Sequence, residues 1–232
     1  MSRHVPGTLY VVATPLGNLE DITLRALRVL KEADLIAAED TRRTRTLLVR
    51  YGIATPTTSY FEHNRARKAP YLLRLLREGK TVALVTDAGT PGISDPGADL
   101  VREAREAGIP VVPIPGPSAV TAALSVAGLP ADRFVFEGFL PVKAGRRLAR
   151  LRELRALGRT VVIYEGPHRV PETLAAIREV FGPVEVVLAR ELTKQFEEIR
   201  RGPPEALLAA FGERPIRGEV TLIIPPVRIP SE

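Results

Sequence analysis

The sequence has no cysteine and no tryptophan, and histidine occurs only three times. Without cysteine, neither a disulfide framework nor a cysteine-ligated metal site is available. His4, His63 and His168 are too far apart along the chain to form a metal-binding motif. We therefore expect no bound metal ion.

Long apolar runs are also missing. No stretch approaches the ~18 apolar residues of a membrane-spanning helix, and the first seven residues, MSRHVPG, lack the apolar core of a signal peptide. A chain of 232 residues is long enough for one large or two modest α/β domains with cores of their own. Because it lacks both a membrane-spanning run and a signal peptide, the sequence predicts a cytoplasmic protein without a membrane partner.

Basic residues are in excess and unevenly placed. The net charge is +6, and 28 of the 33 Lys and Arg side chains are arginine. Residues 42–77, the first basic zone, carry nine cations against one acid, and residues 133–169, the second basic zone, carry nine against three. Arginine suits planar phosphate contacts, so the zones favour a nucleic-acid partner. A thermophilic or GC-rich source explains the arginine content equally well.

Apolar runs alternate with helical patterns along the whole chain, which is typical of an α/β fold. The rigid segment at 113–117, PIPGP, predicts a boundary between an amino-terminal α/β domain, residues 1–114, and a carboxyl-terminal α/β domain, residues 115–232. The first domain is expected to hold a mostly parallel sheet, and the second, where the alternation is less regular, a mixed sheet. Strands in the first domain are predicted at 9–13, 35–38, 81–86 and 111–114.

The loop at residues 87–97, DAGTPGISDPG, directly follows a predicted buried strand. Glycine permits positive φ and close approach of the backbone to a ligand, whereas proline fixes φ. Because α/β sheets bind ligands at the carboxyl ends of their strands, we predict a small-molecule site that includes Asp87. Ser94 or Asp95 is expected to cap the next helix, with Pro96 at its first position. The alternative interpretation is an ordinary connecting loop.

Familiar nucleotide-binding motifs are absent from the sequence. Gly79-Lys80-Thr81 resembles the end of a phosphate-binding P-loop, but Arg74 stands where the first glycine belongs. No GxGxxG follows a strand, and no GxSxG motif of a serine hydrolase occurs. The remaining candidates are the loops that follow predicted strands, at residues 14–18, 39–43, 87–97 and 115–119.

Five motifs, taken together, resemble one known family. They are VATPLGNLEDIT at 12–23, AAEDTR at 37–42, the loop at 87–97, PIPGPSA at 113–119 and YEGPHR at 164–169. In this order they resemble the small-subunit ribosomal RNA cytidine 2′-O-methyltransferases, a branch of the tetrapyrrole methylase superfamily. The resemblance implies the tetrapyrrole methylase fold, with S-adenosylmethionine (SAM) in the cleft between two α/β domains, and a homodimer. It also implies methyl transfer to the ribose of a cytidine in the decoding region of 16S ribosomal RNA.

The resemblance further implies which residues line the SAM site. These are Pro15, Leu16, Asp87, Ala88, Gly89, Thr90, Ile93, Ser118, Ala119, Tyr164 and Glu165. Ser118 and Ala119 stand at a predicted helix start, where free backbone N–H groups favour a carboxylate or another polar group. The alternative for Ser118 is that it only satisfies those helix donors.

Methyl transfer to a ribose requires a group that accepts the proton of the 2′-hydroxyl. The candidates are Glu39, Asp40, His63 and Glu165, and the sequence does not select one of them. For Glu39 and Asp40, a cap on the following helix is an equal alternative. The cations expected to bind RNA phosphates are Arg42, Arg43, Arg146, Arg147, Arg150 and Arg169.

Longer members of this branch continue past the last strand into a further helical region, whereas this chain ends at Glu232. We therefore expect RNA docking to depend more strongly on the cations at 42–77 and 143–159, whose phosphate contacts would supply affinity without base specificity. Two other functions stay open. One is a methylase of tetrapyrroles or other small molecules on the same fold, and the other is a SAM- or RNA-binding protein without catalysis.

Overall fold

The computed structural model describes residues 7–212 and 215–227. The chain divides into two compact units, Met1–Ser118 and Ala119–Glu232, which we call unit 1 and unit 2. Each unit contains one five-stranded sheet with helices packed against it.

The sheet of unit 1 is entirely parallel, which confirms the prediction of a mostly parallel sheet. Its strand order is β3-β2-β4-β1-β5. The strands are β1 Leu9–Val12, β2 Leu35–Ala38, β3 Thr57–Ser59, β4 Val82–Val85 and β5 Val111–Ile114. The short polar strand β3 was not predicted, because its sequence, TTS, carries no apolar signal. Since all five strands run the same way, the loops after them gather at one edge.

Four helices cover this sheet, two on each face. They are α1 Leu24–Glu32, α2 Thr41–Arg50, α3 Arg65–Arg77 and α4 Ala98–Glu106. Leu30 of α1 and Leu47 of α2 belong to one apolar core, whereas Leu72 of α3 and Leu100 of α4 belong to the other. The strands between them are covered on both faces, which explains their continuous apolar runs.

The predicted cap of the helix after the loop at 87–97 is wrong. Helix α4 begins at Ala98, after Gly97, and has no side-chain cap. Ser94 instead adopts a left-handed φ of 59° within the loop. At Gly97, with φ of 136°, a Cβ atom would lie 2.8 Å from the Leu84 side chain. The loop therefore packs closely over β4 before the helix can start.

The sheet of unit 2 is mixed, which confirms the second part of the fold prediction. Its order is β6-β7-β10-β8-β9, in which β6 and β7 are parallel and the other neighbours antiparallel. The strands are β6 Phe134–Phe139, β7 Thr160–Glu165, β8 Val186–Arg190, β9 Glu198–Gly202 and β10 Val220–Ile224. The helices are α5 Ala119–Ala127, α6 Ala144–Ala156, α7 Val170–Phe181 and α8 Pro204–Ala209.

The two faces of this sheet pack against different helices. Ile163 of β7 and Leu222 of β10 face the core shared with α6, α7 and α8. Val162 of β7 and Ile223 of β10 face the smaller core shared with α5. This alternation follows from the two-residue period of a strand.

Glu165, the last residue of β7, ties the end of this strand to α7. Its side chain is 0% exposed and lies 3.2 Å from Nε of Arg169. Oε1 accepts a hydrogen bond from the Gly166 N–H at 2.9 Å, and Oε2 accepts one from the Thr173 hydroxyl at 2.6 Å. Arg169 also donates to the carbonyl of Leu140 at 2.7 Å. A buried carboxylate is thus satisfied on both oxygens from within unit 2.

Two absences hold for the described part of the chain. Between residues 7 and 212, and again between 215 and 227, no helix has the length and apolar character needed to cross a bilayer. Within the same ranges, no three side chains of His, Cys, Asp or Glu come together as a possible metal site.

The Glu165 contacts lead to a stability prediction. Glu165→Gln should lower the free energy of unfolding by about 3 kcal/mol, because it leaves the largely buried Arg169 cation without its counter-charge. Glu179→Gln is the matched control, since its pair with Arg152 in the same unit is exposed on both sides and should contribute less than about 1 kcal/mol. Urea unfolding measures both. Equal, small losses would show that the Glu165 pair does not hold β7 to α7.

Candidate active site

The loops that follow β1, β4 and β5 are joined by hydrogen bonds in unit 1. Thr14 and Gly89 exchange backbone hydrogen bonds in both directions, each at 2.9 Å. The buried Thr14 hydroxyl donates to the carbonyl of Thr86 at 3.0 Å, and the Thr90 hydroxyl donates to the carbonyl of Pro117 at 3.3 Å. Three loops that are distant in sequence therefore form one continuous surface at the carboxyl edge of the sheet.

Gly89 occupies a backbone conformation that other residues rarely adopt. Its φ is +82°. A Cβ atom built there would lie 3.6 Å from Cδ2 of Leu16 and 3.9 Å from the carbonyl oxygen of Pro117. Because glycine has no side chain, the space between Leu16 and Pro117 is left open at this position. A ligand can therefore approach the Gly89 backbone closely.

The ends of β2 and β4 exchange hydrogen bonds through their carboxylates. The Asp87 N–H donates to Oε2 of Glu39 at 3.2 Å, and the Asp40 N–H donates to Oδ1 of Asp87 at 3.0 Å. Arg43 lies 3.2 Å from Oδ2 of Asp87. We call Glu39, Asp40 and Asp87 the carboxylate cluster. It places three acidic groups at one edge of the sheet, with the Arg43 cation against Asp87.

Two members of the carboxylate cluster differ sharply in proton affinity. Burial raises the pKa of Glu39, and the nearby charges of Asp87 and Asp40 raise it further, against the hydrogen bond from Asp87 and the charge of Arg43. Hydrogen bonds from Arg42 lower the pKa of Asp40 to about 2. Glu39 therefore accepts a proton more readily than an ordinary glutamate, and Asp40 less readily than an ordinary aspartate.

The helix-cap alternative is confirmed for Asp40. Its Oδ1 accepts a hydrogen bond from the Arg42 N–H at 2.8 Å, at the N-cap of α2. The same carboxylate holds the Arg42 side chain, with Oδ2 at 2.8 Å from Nη2. Glu39 precedes the cap position and takes no part in it. Its carboxylate instead lies against the start of the loop at 87–97.

His63 follows β3 and is exposed. Its ring meets that of Phe61 edge-on, with 6.3 Å between the ring centroids. Asn64 fixes this turn, because its Oδ1 accepts from the Phe61 N–H at 2.9 Å and its Nδ2 donates to the Ser59 carbonyl at 3.2 Å. Among the described residues, no hydrogen bond joins His63 to the carboxylate cluster.

The residues that the resemblance assigns to SAM fall in both units. Those in unit 1 lie on the loops just described and are Pro15, Leu16, Asp87, Ala88, Gly89, Thr90, Ile93 and Ser118. Those in unit 2 are Ala119, the first residue of α5, and Tyr164 and Glu165, at the end of β7. The residues of unit 1 fit a SAM molecule chemically, because Leu16 and Ile93 are apolar, Gly89 leaves its backbone approachable and Asp87 offers a carboxylate to a cationic ligand.

The arginines of the second basic zone are mostly paired within unit 2. The Arg147 side chain is 6% exposed and lies 3.0 Å from Glu172. Glu137 holds Arg150 with two hydrogen bonds of 2.7 Å, and together with Glu153 it raises the pKa of that guanidinium. To reach a phosphate, these side chains and Arg169 would first have to leave their partners. Arg146, which lies on α6 together with Arg147 and Arg150, is exposed.

An aromatic group at the end of β6 and β7 was missed at the level of sequence. Tyr164 meets Phe136 and Phe139 edge-on, with ring centroids 4.8 and 5.9 Å apart. A register shift between Phe136 and Gly138 pairs Phe139 directly with Tyr164. The three aromatics at 134, 136 and 139 were visible in the sequence, but the shift that aligns the last of them with Tyr164 was not.

Comparison with known proteins agrees with this architecture. The model of the family "Tetrapyrrole (Corrin/Porphyrin) Methylases" matches residues 8–208. A uroporphyrin-III C-methyltransferase from Thermus thermophilus, solved in complex with S-adenosylhomocysteine, superposes with a TM-score of 0.67 over 94% of this chain and 97% of that one, at 21% identity. At this identity the likeness shows the fold alone.

Two relatives are much more similar in sequence, and both are named ribosomal RNA small subunit methyltransferase I. The protein from Mesorhizobium japonicum is 50% identical over 234 residues, which is 100% of this chain and 79% of the relative. The protein from Thermotoga maritima is 48% identical over 218 residues, which is 94% of this chain and 98% of the relative. The chain therefore belongs to the tetrapyrrole methylase family, in the branch whose curated members are named ribosomal RNA small subunit methyltransferase I.

Proposed function

We propose that the protein transfers a methyl group from SAM to the ribose 2′-oxygen of a cytidine in 16S ribosomal RNA. The observation that carries this proposal is the identity of about half the residues, over nearly the whole chain, with relatives named as methyltransferases of small-subunit ribosomal RNA. Its action in the cytoplasm and as a homodimer belongs to the same proposal.

SAM supplies an electrophilic methyl group. In unit 1, the backbone of Gly89 and the side chains of Leu16 and Ile93 would contact it, with Asp87 providing a carboxylate. In unit 2, the resemblance adds Ala119 and Tyr164. Support for this assignment comes from the hydrogen bonds that already fix the loops after β1, β4 and β5, because a fixed site does not have to be ordered by the ligand.

Glu39 is the proton acceptor that the geometry favours. A general base works best when its pKa lies close to the working pH, and burial moves the pKa of Glu39 in that direction. Asp40 is a helix cap with a lowered pKa, and Glu165 is enclosed by Gly166, Thr173 and Arg169. In our proposal, Glu39 takes the proton of the 2′-hydroxyl while the ribose oxygen forms its bond to the methyl carbon. The bond from that carbon to sulfur breaks in the same step, its electron pair stays on sulfur, and S-adenosylhomocysteine leaves.

Three exposed arginines are the cations we propose for RNA phosphates: Arg42, Arg43 and Arg146. Arg42 and Arg43 stand at the start of α2, beside the carboxylate cluster, and are paired with Asp40 and Asp87. Such exposed pairs exchange partners at small cost. Arg147, Arg150 and Arg169 make tighter contacts within unit 2. We therefore favour them less as phosphate ligands than the three exposed arginines.

The two other functions have less support. The porphyrin methyltransferase shares the fold at 21% identity, far below the identity to the ribosomal RNA branch. A binding protein without catalysis is less supported because the relatives that share about half of its residues are named as methyltransferases.

Transfer of label from SAM tests the proposed function. Assembled small subunits and naked 16S RNA are incubated with methyl-labelled SAM, and the digested RNA is analysed by mass spectrometry. We expect the label on the sugar fragment of a cytidine. Label on a base would contradict ribose transfer, and no label on either substrate would favour the small-molecule or the non-catalytic alternative.

Gly89→Ala tests the cofactor assignment without requiring RNA. Gly108→Ala is the matched control, because Gly108 also has a positive φ, of 71°, and a Cβ there meets nothing within 4 Å. Both variants should lose about 1–2 kcal/mol of stability from the strained φ. Only Gly89→Ala should also weaken SAM binding, by about 10-fold or more, as measured by calorimetry. Equal SAM affinity in the two variants would remove Gly89 from the site.

A further inference from the structure

Phe139 stands at the end of β6 with much of its ring in solvent. The residue is 57% exposed, and Val142, three positions later, is 74% exposed. Burying such side chains is favourable, because it removes apolar surface from water. Both side chains therefore leave apolar surface open to a binding partner.

The Phe139 ring is held in place from one side. It meets Tyr164 edge-on, with an interplanar angle of 63°, and Tyr164 in turn meets Phe136 at 67°. Phe136 and Tyr164 are packed against the core that includes α5. An aromatic ring supported in this way loses little conformational entropy when a flat partner stacks on it.

Two cations follow Phe139 closely in sequence. Lys143 is the N-cap residue of α6, and Arg146 is the third residue of that helix, in its first turn. Both are exposed, and within the described residues neither side chain makes a hydrogen bond or an ion pair. Lys143 is four residues from Phe139, so their Cα atoms are at most about 14 Å apart. These two charges are available to an anionic partner, unlike those of Arg147 and Arg150 on the same helix.

We propose that Phe139 stacks on an unpaired base of the RNA substrate while Lys143 and Arg146 bind phosphates beside that base. This inference rests on the proposed function and adds a contact to it. Aromatic side chains interleaved with cations are how proteins bind single-stranded nucleic acid, because every base has a flat face and every nucleotide a charge. The adjacent positive charges favour RNA over a second copy of this basic chain.

Binding of fluorescent oligonucleotides to the full chain tests the stack. The probes are a single-stranded RNA with the sequence of the methylated segment and an RNA duplex of equal length. Phe139→Ala should weaken single-strand binding by roughly 5- to 150-fold, the range expected when one base stack is removed. Duplex binding should stay unchanged, because paired bases offer no free face.

Two further variants serve as controls. Phe139→Trp keeps an aromatic face and should retain single-strand affinity. Phe134→Ala removes an exposed phenylalanine from the opposite end of the same strand and should leave it unchanged. Replacing Lys143 and Arg146 by alanine should lower the magnitude of the log–log salt slope by roughly 0.7 for each phosphate that the protein no longer binds.

Several results would overturn the inference. One is an equal loss of single-strand affinity in Phe134→Ala. Another is a parallel loss of SAM affinity in Phe139→Ala, which would assign the ring to the cofactor. A third is a changed oligomeric state in Phe139→Ala, which would assign the ring to a second copy. A further one is normal methyl transfer and RNA affinity in Phe139→Ala, which would remove the stack but leave the proposed function intact. If the unaltered protein neither bound nor methylated RNA, both would fall.

Discussion

Asp87 accepts a hydrogen bond from the N–H of Asp40 while its own N–H donates to Glu39, and this exchange fixes the ends of β2 and β4 against each other. The loop at 87–97 begins at this point, and so does α2. In this loop, Gly89 forms hydrogen bonds with Thr14, and Thr90 donates one to Pro117. These bonds connect it to the loops after β1 and β5. The same contacts keep Glu39 partly buried beside other carboxylates, which raises its pKa. One pair of hydrogen bonds from backbone N–H groups to carboxylates thus shapes the loop surface and holds the proposed base in a position where burial raises its pKa.

Much of this arrangement could be predicted from sequence, for a physical reason. Strands buried on both faces give continuous apolar runs, so four strands of unit 1 and the parallel sheet were predicted correctly. Parallel strands also place the loops after them at one edge, so residues 39–43 and 87–97 were predicted to lie there, but not the hydrogen bonds between them. The cap of α4 was wrong because Gly97 packs against Leu84, a contact between segments that local propensity does not encode.

Charge was harder to predict than topology. Counting along residues 42–77 and 133–169 gives two strongly basic zones, but many of their cations are paired in the structure with acids from outside those windows. Arg43 meets Asp87, Arg65 meets Asp99, and Arg147 meets Glu172. The aromatic group escaped prediction for a similar reason, since Phe139 and Tyr164 come together only through the register shift in β6. Pairing between distant segments decides both properties, and sequence windows do not contain it.

The proposed reaction depends on Glu39 to accept the proton of the ribose hydroxyl. Single-turnover methyl transfer, followed against pH with SAM saturating, tests it most directly in the unaltered protein and in Glu39→Gln, whose amide oxygen can still accept the Asp87 N–H. Glu39 must be deprotonated to act. We therefore predict a rate that falls as the pH drops through its raised pKa, at a higher pH than for a free glutamate, and a loss of this limb in Glu39→Gln with a rate reduced by roughly 10² to 10⁴. A variant with an unchanged rate and the same acid limb would contradict the account.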